Sequence, residues 1–513
     1  MVRRIRLPFL LFFIPVCLFL FSCRETYDGI AVIPDETAGS LEKEQHWLEG
    51  ILKEDELHAM GLTMEKGEEE PSIIIRLHRA WGKETEGIVL SRTWYLPAAD
   101  PLEGRTTTET EACLAGDEDL VSLEDLVPPH VALRVDGLTV NDEAYPLVKT
   151  VSVSLEWRAE GKDRAQKRLF ERVQERLQKL VRIEEKAAAL TEFLRSAPKE
   201  TPHEKPSLFW IASAGDLMLG RGAGEILLRE GPSGIFGETA ALLAEADLAL
   251  LNLEGAVTGR GSRTEKAYNF RFDPHCASAL AAAGIDAVLL ANNHVFDYGE
   301  EGFLDSLAHL EKGGVGVLGA GSDINVAAAP FVMKAEAGMP EIRVYGIASY
   351  PRERSGWDGA AAAAGEGRPG ILFSGRGGME ALKEKLSAGE ENVLNIVLFH
   401  GGNEWTFAPD GRTREYYTGL AEAGADLVIG SHPHVVQGFE WVHNRPVFWS
   451  LGNFVFAGMD GTNGGEEGLF LRLGFYGKKL LYMEPVALKL KGPRTGVSGD
   501  LQNFYRLSKD LSK

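Results

Sequence analysis

Six polar clusters follow short apolar runs in the C-terminal three-fifths of this 513-residue chain, and their side chains are the ingredients of an oxygen- and nitrogen-rich metal site, which makes hydrolysis the first chemistry to consider. They read Gly215-Asp216, Asn252-Leu253-Glu254, Asn292-Asn293-His294, His400-Gly401-Gly402-Asn403-Glu404, Ser431-His432-Pro433-His434 and Ser450-Leu451-Gly452-Asn453. Divalent Mn, Fe and Zn accept such mixed carboxylate, imidazole and amide ligands. Of the twelve histidines, His294, His400, His432 and His434 fall in the clusters. His432-Pro433-His434 places two imidazoles one residue apart in a loop stiffened by proline, able to face neighbouring ions. Asp216 and Glu254 supply charge, with Glu254 able to bridge two ions, and Asn293 offers a neutral oxygen. His294 and Asp297, three residues apart, suit an imidazole oriented by a carboxylate for proton transfer.

The elements that must position these groups are legible as a repeat. An alanine-rich helix, a break containing Asp, an apolar strand and a polar cluster recur over Ala240 to Glu254, Ala277 to His294 and Leu420 to His434. The breaks are Glu245-Ala246-Asp247, Gly284-Ile285-Asp286 and Gly424-Ala425-Asp426. Alternating helices and strands imply an α/β sheet covered by helices, with ligands at the carboxyl ends of the strands. The alanine- and glycine-rich run from Asp358 to Gly370 reads as a flexible insertion, and Gly458 to Gly468 as an acidic glycine-rich loop; either is a candidate rim over the site.

Upstream, Arg3, Arg4 and Arg6 precede an apolar run over residues 7–21 that is short for a membrane span and ends at Leu20-Phe21-Ser22-Cys23. This predicts a lipoprotein-type signal peptide over 1–22, with Cys23 lipidated. A polar tether over 24–45 follows. A smaller mixed α+β domain is expected over 46–197, with strands near Ser72–Arg76, Gly87–Leu96, His130–Val135 and Leu147–Trp157, closing in a long helix over Asp163–Leu194. Three prolines mark 198–206 as a linker. The second domain is expected over 207–490, and 491–513 as a C-terminal tail. Of the four cysteines, Cys17 would leave with the signal and Cys23 would carry lipid; Cys113 and Cys276 remain, one in each expected domain, which argues against a disulfide framework and leaves too few thiolates for a metal site. A formal charge of −21 argues against nucleic acid as a partner.

Taken in order, Gly215-Asp216-Leu217-Met218-Leu219-Gly220-Arg221, Asn252-Leu253-Glu254-Gly255, Asn292-Asn293-His294-Val295-Phe296-Asp297-Tyr298-Gly299, His400-Gly401-Gly402-Asn403-Glu404-Trp405, His432-Pro433-His434-Val435-Val436-Gln437 and Ser450-Leu451-Gly452-Asn453-Phe454 resemble the motifs of the CapA family, named for poly-γ-glutamate capsule synthesis and part of the calcineurin-like metallophosphoesterase superfamily. The resemblance covers roughly residues 207–490. It implies an α/β/β/α metallophosphoesterase-like sandwich with one or two divalent ions (Mn, Fe or Zn). Asp216, Glu254 and His434 would hold the first, and Glu254, Asn293, His400 and His432 the second. His294 would be the general acid, oriented by Asp297. Arg221, Glu404 and Trp405 would line the substrate region, with Asn252, Ser450 and Asn453 supporting the ligands from behind.

The implied role is synthesis, release or anchoring of an extracellular polymer of poly-γ-glutamate or capsule type, by metal-assisted hydrolysis or transfer at a phosphoester or amide bond. Partners would be the anionic polymer or its precursor, the membrane through the lipid anchor, and a membrane synthase complex, on the outer side of the cytoplasmic membrane or in the periplasm. A non-catalytic polymer-binding scaffold and a general periplasmic phosphatase are the alternatives. Two departures bear on these. Where the wider superfamily has a ligand histidine, two residues after the first Asp, this chain has Met218, a soft thioether. Gly401 replaces an aromatic residue usual after the family's histidine, which predicts a lost stacking surface and a wider pocket.

Overall fold

The computed structural model describes residues 208–511 except 335–338 and 391, together with scattered short stretches before residue 158. The chain divides into two units, the second containing everything from Ser207 onward. In the first, strands Ile73–Trp81 and Ile88–Ala99 both pair antiparallel with Val148–Trp157. Of the expected signal peptide only Arg4–Arg6 is described, and of the tether only Ile30–Pro34, each as a short strand; Cys23, the helix over 163–194 and the linker lie outside the described residues.

The second unit is built on two sheets. The first contains β1 (Phe209–Met218), β2 (Leu248–Leu253), β3 (Ala287–Leu289) and β4 (Gly316–Leu318), all parallel. The second contains β5 (Phe331–Met333), β6 (Glu341–Ser349), β7 (Val393–Gly401), β8 (Leu427–Ser431), β9 (Val436–Val442) and β10 (Arg445–Leu451) in the order β5-β6-β7-β8-β10-β9. β11 (Asn453–Phe456), β12 (Glu467–Tyr476), β13 (Lys479–Lys491) and β14 (Arg494–Val497) complete the first sheet, in the order β4-β3-β2-β1-β12-β13-β14. β2, β3, β7 and β8 are buried at every residue, because each lies between the facing sheet and a layer of helices. Helices α1 (Cys276–Ala282) and α2 (Gly299–Gly313) bury Leu280, Phe303 and Leu310 against the first sheet. Helices α3 (Met379–Leu386) and α4 (Gly411–Ala423) bury Leu382, Leu386, Tyr417 and Leu420 against Ile347, Val397 and Phe399 of the second. The inner core joins Leu289 and Leu250 to Ile396, Leu398 and Phe448, and the layering is α/β/β/α.

The three Asp-containing breaks turn out to be identical clips. Asp247 donates its backbone N–H to the Trp210 carbonyl, and its carboxylate accepts from the Trp210 N–H at 2.7 Å. Asp286 does the same to Ala249, and Asp426 to Asn395. Each clip fastens the entry of a strand to the strand beside it.

Strand β1 forks. Phe209 to Ala214 pairs antiparallel with β12, whereas Asp216 to Met218 pairs parallel with β11 on the same edge. At the fork a Cβ on Gly215 would lie 2.1 Å from the Gly452 carbonyl oxygen, so no other residue fits there. On the other edge, Ser213 faces Leu250 and Asp216 faces Asn252. The extra residue bulges β1 and turns Asp216 into the space between the sheets.

Two expectations are corrected. The alanines of the 358–370 run are not a loose insertion: Ala362, Ala363 and Ala364 are buried, and the Ala364 amide bonds to Ile371. Residues 491–513 are not a tail. β13 reaches Lys491, β14 pairs with it, and helix α5 (Gln502–Leu511) buries Phe504 and Leu507, its Ser508 hydroxyl accepting the Phe439 N–H.

Candidate metal centre

All six clusters lie at carboxyl ends of strands or in the loops that follow them, and they converge between the two sheets. Asp216 at the end of β1, Glu254 just beyond β2 and His434 after β8 each place a ligand atom within 4.8 Å of the others. Asp216 and Glu254 are fully buried, and His434 is 4 % exposed. Asn252 joins the two carboxylates, its amide donating to Asp216 Oδ1 at 2.7 Å and to Glu254 Oε2 at 3.3 Å. His434 Nδ1 lies 3.2 Å from Asp216 Oδ2 and 3.0 Å from Asn453 Oδ1, while its Nε2 faces Glu254 Oε1 at 3.7 Å. Burial opposes charge on His434, but Glu254 and Asp216 outweigh it and push its pKa up to about 10. Burial and the adjacent Asp216 raise Glu254 well above the usual carboxylate range.

The second group is neutral. His400 Nε2 lies 3.0 Å from Asn293 Oδ1 and 3.1 Å from His432 Nδ1. Residues His400 and Ser431 are register partners on β7 and β8, which brings the Ser431 hydroxyl 3.1 Å from His400 Nδ1. Burial holds both imidazoles well below their ordinary pKa, and the neighbouring histidines add to it.

His294 Nδ1 lies 2.6 Å from Asp297 Oδ2, and its Nε2 turns towards Glu254 Oε1 at 3.9 Å. Burial lowers its pKa against the opposing pull of Asp297. Ser450 does not reach the cluster; its hydroxyl donates to the Val435 carbonyl and accepts from Gly452, fixing the loop behind His434. Asn453 clamps the same loop through its amide, which donates to the His434 and Gly465 carbonyls.

Around the mouth, Trp405 is 42 % exposed with its ring 5.5 Å from that of His434. The exposed Glu404 precedes it, near enough to Glu254 and His434 to act on both electrostatically. Arg221 stands over the Phe270 ring at 5.1 Å and donates to the Ala457 carbonyl, and Phe270 in turn packs on His294 at 4.3 Å. Arg221, Trp405, His432 and His434 all have positive φ, four of the six such non-glycine residues among those described. Strain of this kind collects where surrounding structure forces a functional geometry.

Gly401 corrects the expectation of a widened pocket. A Cβ there would lie 1.9 Å from the Ser349 carbonyl oxygen, so the position is closed by backbone. Met218 is buried, and its sulfur accepts the Gly220 N–H at 3.0 Å. Sequence reasoning missed Tyr350, whose ring lies 5.7 Å from His432, and a strap over residues 264–270. The strap's Thr264 and Phe270 amides and its Lys266 ammonium all bond to Asp297. Nothing in its charged, polar composition separates it from an ordinary surface loop.

One observation tests whether a cation suits this arrangement. Glu254 Oε1 is buried without a hydrogen-bond partner, and buried carboxylate oxygens are otherwise satisfied. It faces two imidazole nitrogens across gaps too long for hydrogen bonds. The donor set of two carboxylates, three imidazoles and an amide oxygen fits a divalent ion.

Residues 210–458 match the family model described as bacterial capsule synthesis protein PGA_cap. The chain is 27% identical over 270 residues to the PGA biosynthesis protein CapA of Bacillus subtilis, covering 52% of this chain and 68% of that one. It is also 27% identical over 324 residues to the capsule biosynthesis protein CapA of Bacillus anthracis, covering 61% and 75%. A probable polyglutamine synthesis accessory protein of Mycobacterium tuberculosis is 26% identical over 289 residues, covering 49% and 75%. Among solved structures, a phosphatase from Mycoplasma pneumoniae aligns at a TM-score of 0.36 and 15% identity, covering 56% of this chain and 96% of that one. At that score the likeness is remote and adds nothing to the layering traced above. The family model and the relatives fall on the domain that carries the six clusters, and in that domain the chain is similar to the CapA-type bacterial capsule synthesis proteins.

Proposed function

We propose that this protein is a metal-dependent hydrolase or transferase acting on an extracellular polymer of poly-γ-glutamate or capsule type, at a phosphoester or amide bond. The unpartnered, buried Glu254 Oε1 amid imidazoles carries the reading. The names of the relatives support the polymer as its setting. Asp216, Glu254 and His434 would hold one ion, and Glu254, Asn293, His400 and His432 a second. Such ions polarise the electrophilic centre and stabilise the charge that develops on it.

The chain's own groups do the rest. His294 gives its Nδ1–H to Asp297, so Nε2 is the atom that exchanges a proton with the leaving group. Asp297 stabilises the imidazolium and fixes the ring's orientation. Arg221, backed by Phe270, offers a guanidinium to a phosphate or carboxylate of the substrate, and the Trp405 indole gives a flat contact beside it. The signal sequence and Cys23 would place this chemistry outside the cytoplasmic membrane, tethered by acyl chains and within reach of a membrane synthase complex.

A second reading, a non-catalytic polymer-binding scaffold, is favoured by Met218, whose sulfur turns to its own backbone where the superfamily places a ligand. Metal analysis of the purified ectodomain decides between them. The hydrolase should carry about two equivalents of Mn, Fe or Zn, reduced in a His400→Ala plus His432→Ala variant, together with turnover of phosphoesters or γ-glutamyl peptides. Absence of both metal and turnover would leave the scaffold. A deletion strain with altered surface polymer separates either from a general phosphatase.

A further inference from the structure

Lys266 is the one buried cation in this region that the chemistry above leaves unused. Its side chain is 1 % exposed, although lysine is almost never found so deeply enclosed without partners. Its ammonium donates to the Asn293 carbonyl at 2.5 Å and to Asp297 Oδ1 at 2.9 Å, and it forms an ion pair with Glu353 Oε1 at 2.9 Å. The ring of Trp357 faces the same ammonium at 5.6 Å.

The three partners belong to different parts of the molecule. Asn293 and Asp297 flank His294 in the loop after β3. Glu353 belongs to the segment 350–357 that follows β6, whose Tyr350 ring lies against His432 and His400. Glu353 Oε1 also lies 3.5 Å from the Asn293 amide nitrogen. The rest of that segment has few ties. Pro351, Arg352, Arg354, Ser355 and Gly356 are exposed or nearly so, and their hydrogen bonds run within the segment itself.

We infer that Lys266 is a positioning residue that latches the segment 350–357 over the site and, with the same ammonium, fixes the Asp297–His294 pair and the Asn293 carbonyl. Asp297 Oδ1 is held by Lys266 and Oδ2 by the Phe270 N–H, so the carboxylate cannot rotate away from His294. Without the lysine, Asp297 and Glu353 face each other as uncompensated carboxylates, and the segment should lift. This rests on the hydrolase reading only for its effect on turnover; the latch itself is independent of it.

Hydrogen exchange on the full ectodomain tests the latch directly. In Lys266→Met, peptides covering 350–357 should exchange roughly tenfold faster or more while β1 and β7 keep their protection. Calorimetry with Mn²⁺ should show binding roughly tenfold weaker, the usual consequence of losing a group that orients ligands. Glu353→Gln should release the segment alone, leaving Mn²⁺ affinity within about twofold of the parent, well short of the tenfold change typical of disturbed ligands. Unchanged exchange at 350–357 in Lys266→Met overturns the latch. Should Lys266→Met fail to fold, Glu353→Gln decides: faster exchange confined to 350–357 supports it, and none overturns it. A parent protein that hydrolyses nothing removes the hydrolase reading and leaves the exchange result standing.

Discussion

The two halves of the candidate metal centre both contain imidazoles and hold their protons in opposite ways. Asp216, Glu254 and His434 concentrate two buried carboxylates around one imidazole, whose pKa is pushed up to about 10. Asn293, His400 and His432 form an uncharged pocket in which burial drives both imidazoles well below their ordinary range. The difference lies in the carboxylates that surround one imidazole and are missing from the causes acting on the other two. Both carboxylates come from the first sheet, while His400 ends a strand of the second, beside Ser431 and Tyr350. A proton on His434 occupies the field that would otherwise serve a divalent ion. A divalent ion at the charged half would compete with that proton, whereas one at the neutral half would bind free of that competition.

The largest expected contrast follows from removing charge. Asp216→Asn should weaken Mn²⁺ binding at the tighter site by more than about 100-fold, beyond the 10–100-fold typical of groups that only orient ligands. His400→Ala should instead abolish the second equivalent and leave the first nearly unchanged. Equal losses at both sites in titration calorimetry would erase the distinction between the halves. Next comes pH. Because Glu254 and Asp216 push the His434 pKa up to about 10, a metal binding at the charged half would have to displace its proton. Its apparent affinity should rise about tenfold per pH unit between pH 7 and 9, with about one proton released in buffers of different ionisation enthalpy. The neutral half, with both imidazoles already deprotonated, should show little slope over the same range. A flat profile at both sites would mean that the carboxylates do not hold the proton. The smallest effect is expected at Met218→Leu. Metal content should not change, and stability should fall by less than about 1.5 kcal/mol, as for a volume-conserving core substitution. Loss of an equivalent of metal would make the thioether a ligand after all.

What the sequence disclosed and what it hid divide along a physical line. Strand ends were legible because a buried parallel strand must be apolar until it leaves the core, so Asp216, Glu254, Asn293 and His400 stand out at the transition. The Asp of each helix-to-strand break was visible as punctuation, yet its pairing with the neighbouring strand was not, because that bond spans 31 to 37 residues. Lys266 and Glu353 were hidden for the same reason. A lysine in a polar run looks solvated until a loop 87 positions away delivers its carboxylate (353 − 266). Gly401 misled because a glycine after a histidine reads as missing bulk, whereas Ser349 approaches so closely that bulk was never possible.

The Asp clips have a consequence at the opposite edge of the sheet. From Asp247 to Asn252, from Asp286 to Asn292 and from Asp426 to Ser431 the chain runs five or six residues. At about 3.3 Å per residue each span measures roughly 16–20 Å of strand. The clips therefore act as the zero mark of a ruler, and the polar clusters are its far graduation. A one-residue deletion inside any of these strands would keep the clip and the apolar composition, yet turn the terminal side chains to the other face of the sheet. Length between clip and cluster, as much as the identity of the clustered residues, is what this fold has to inherit intact.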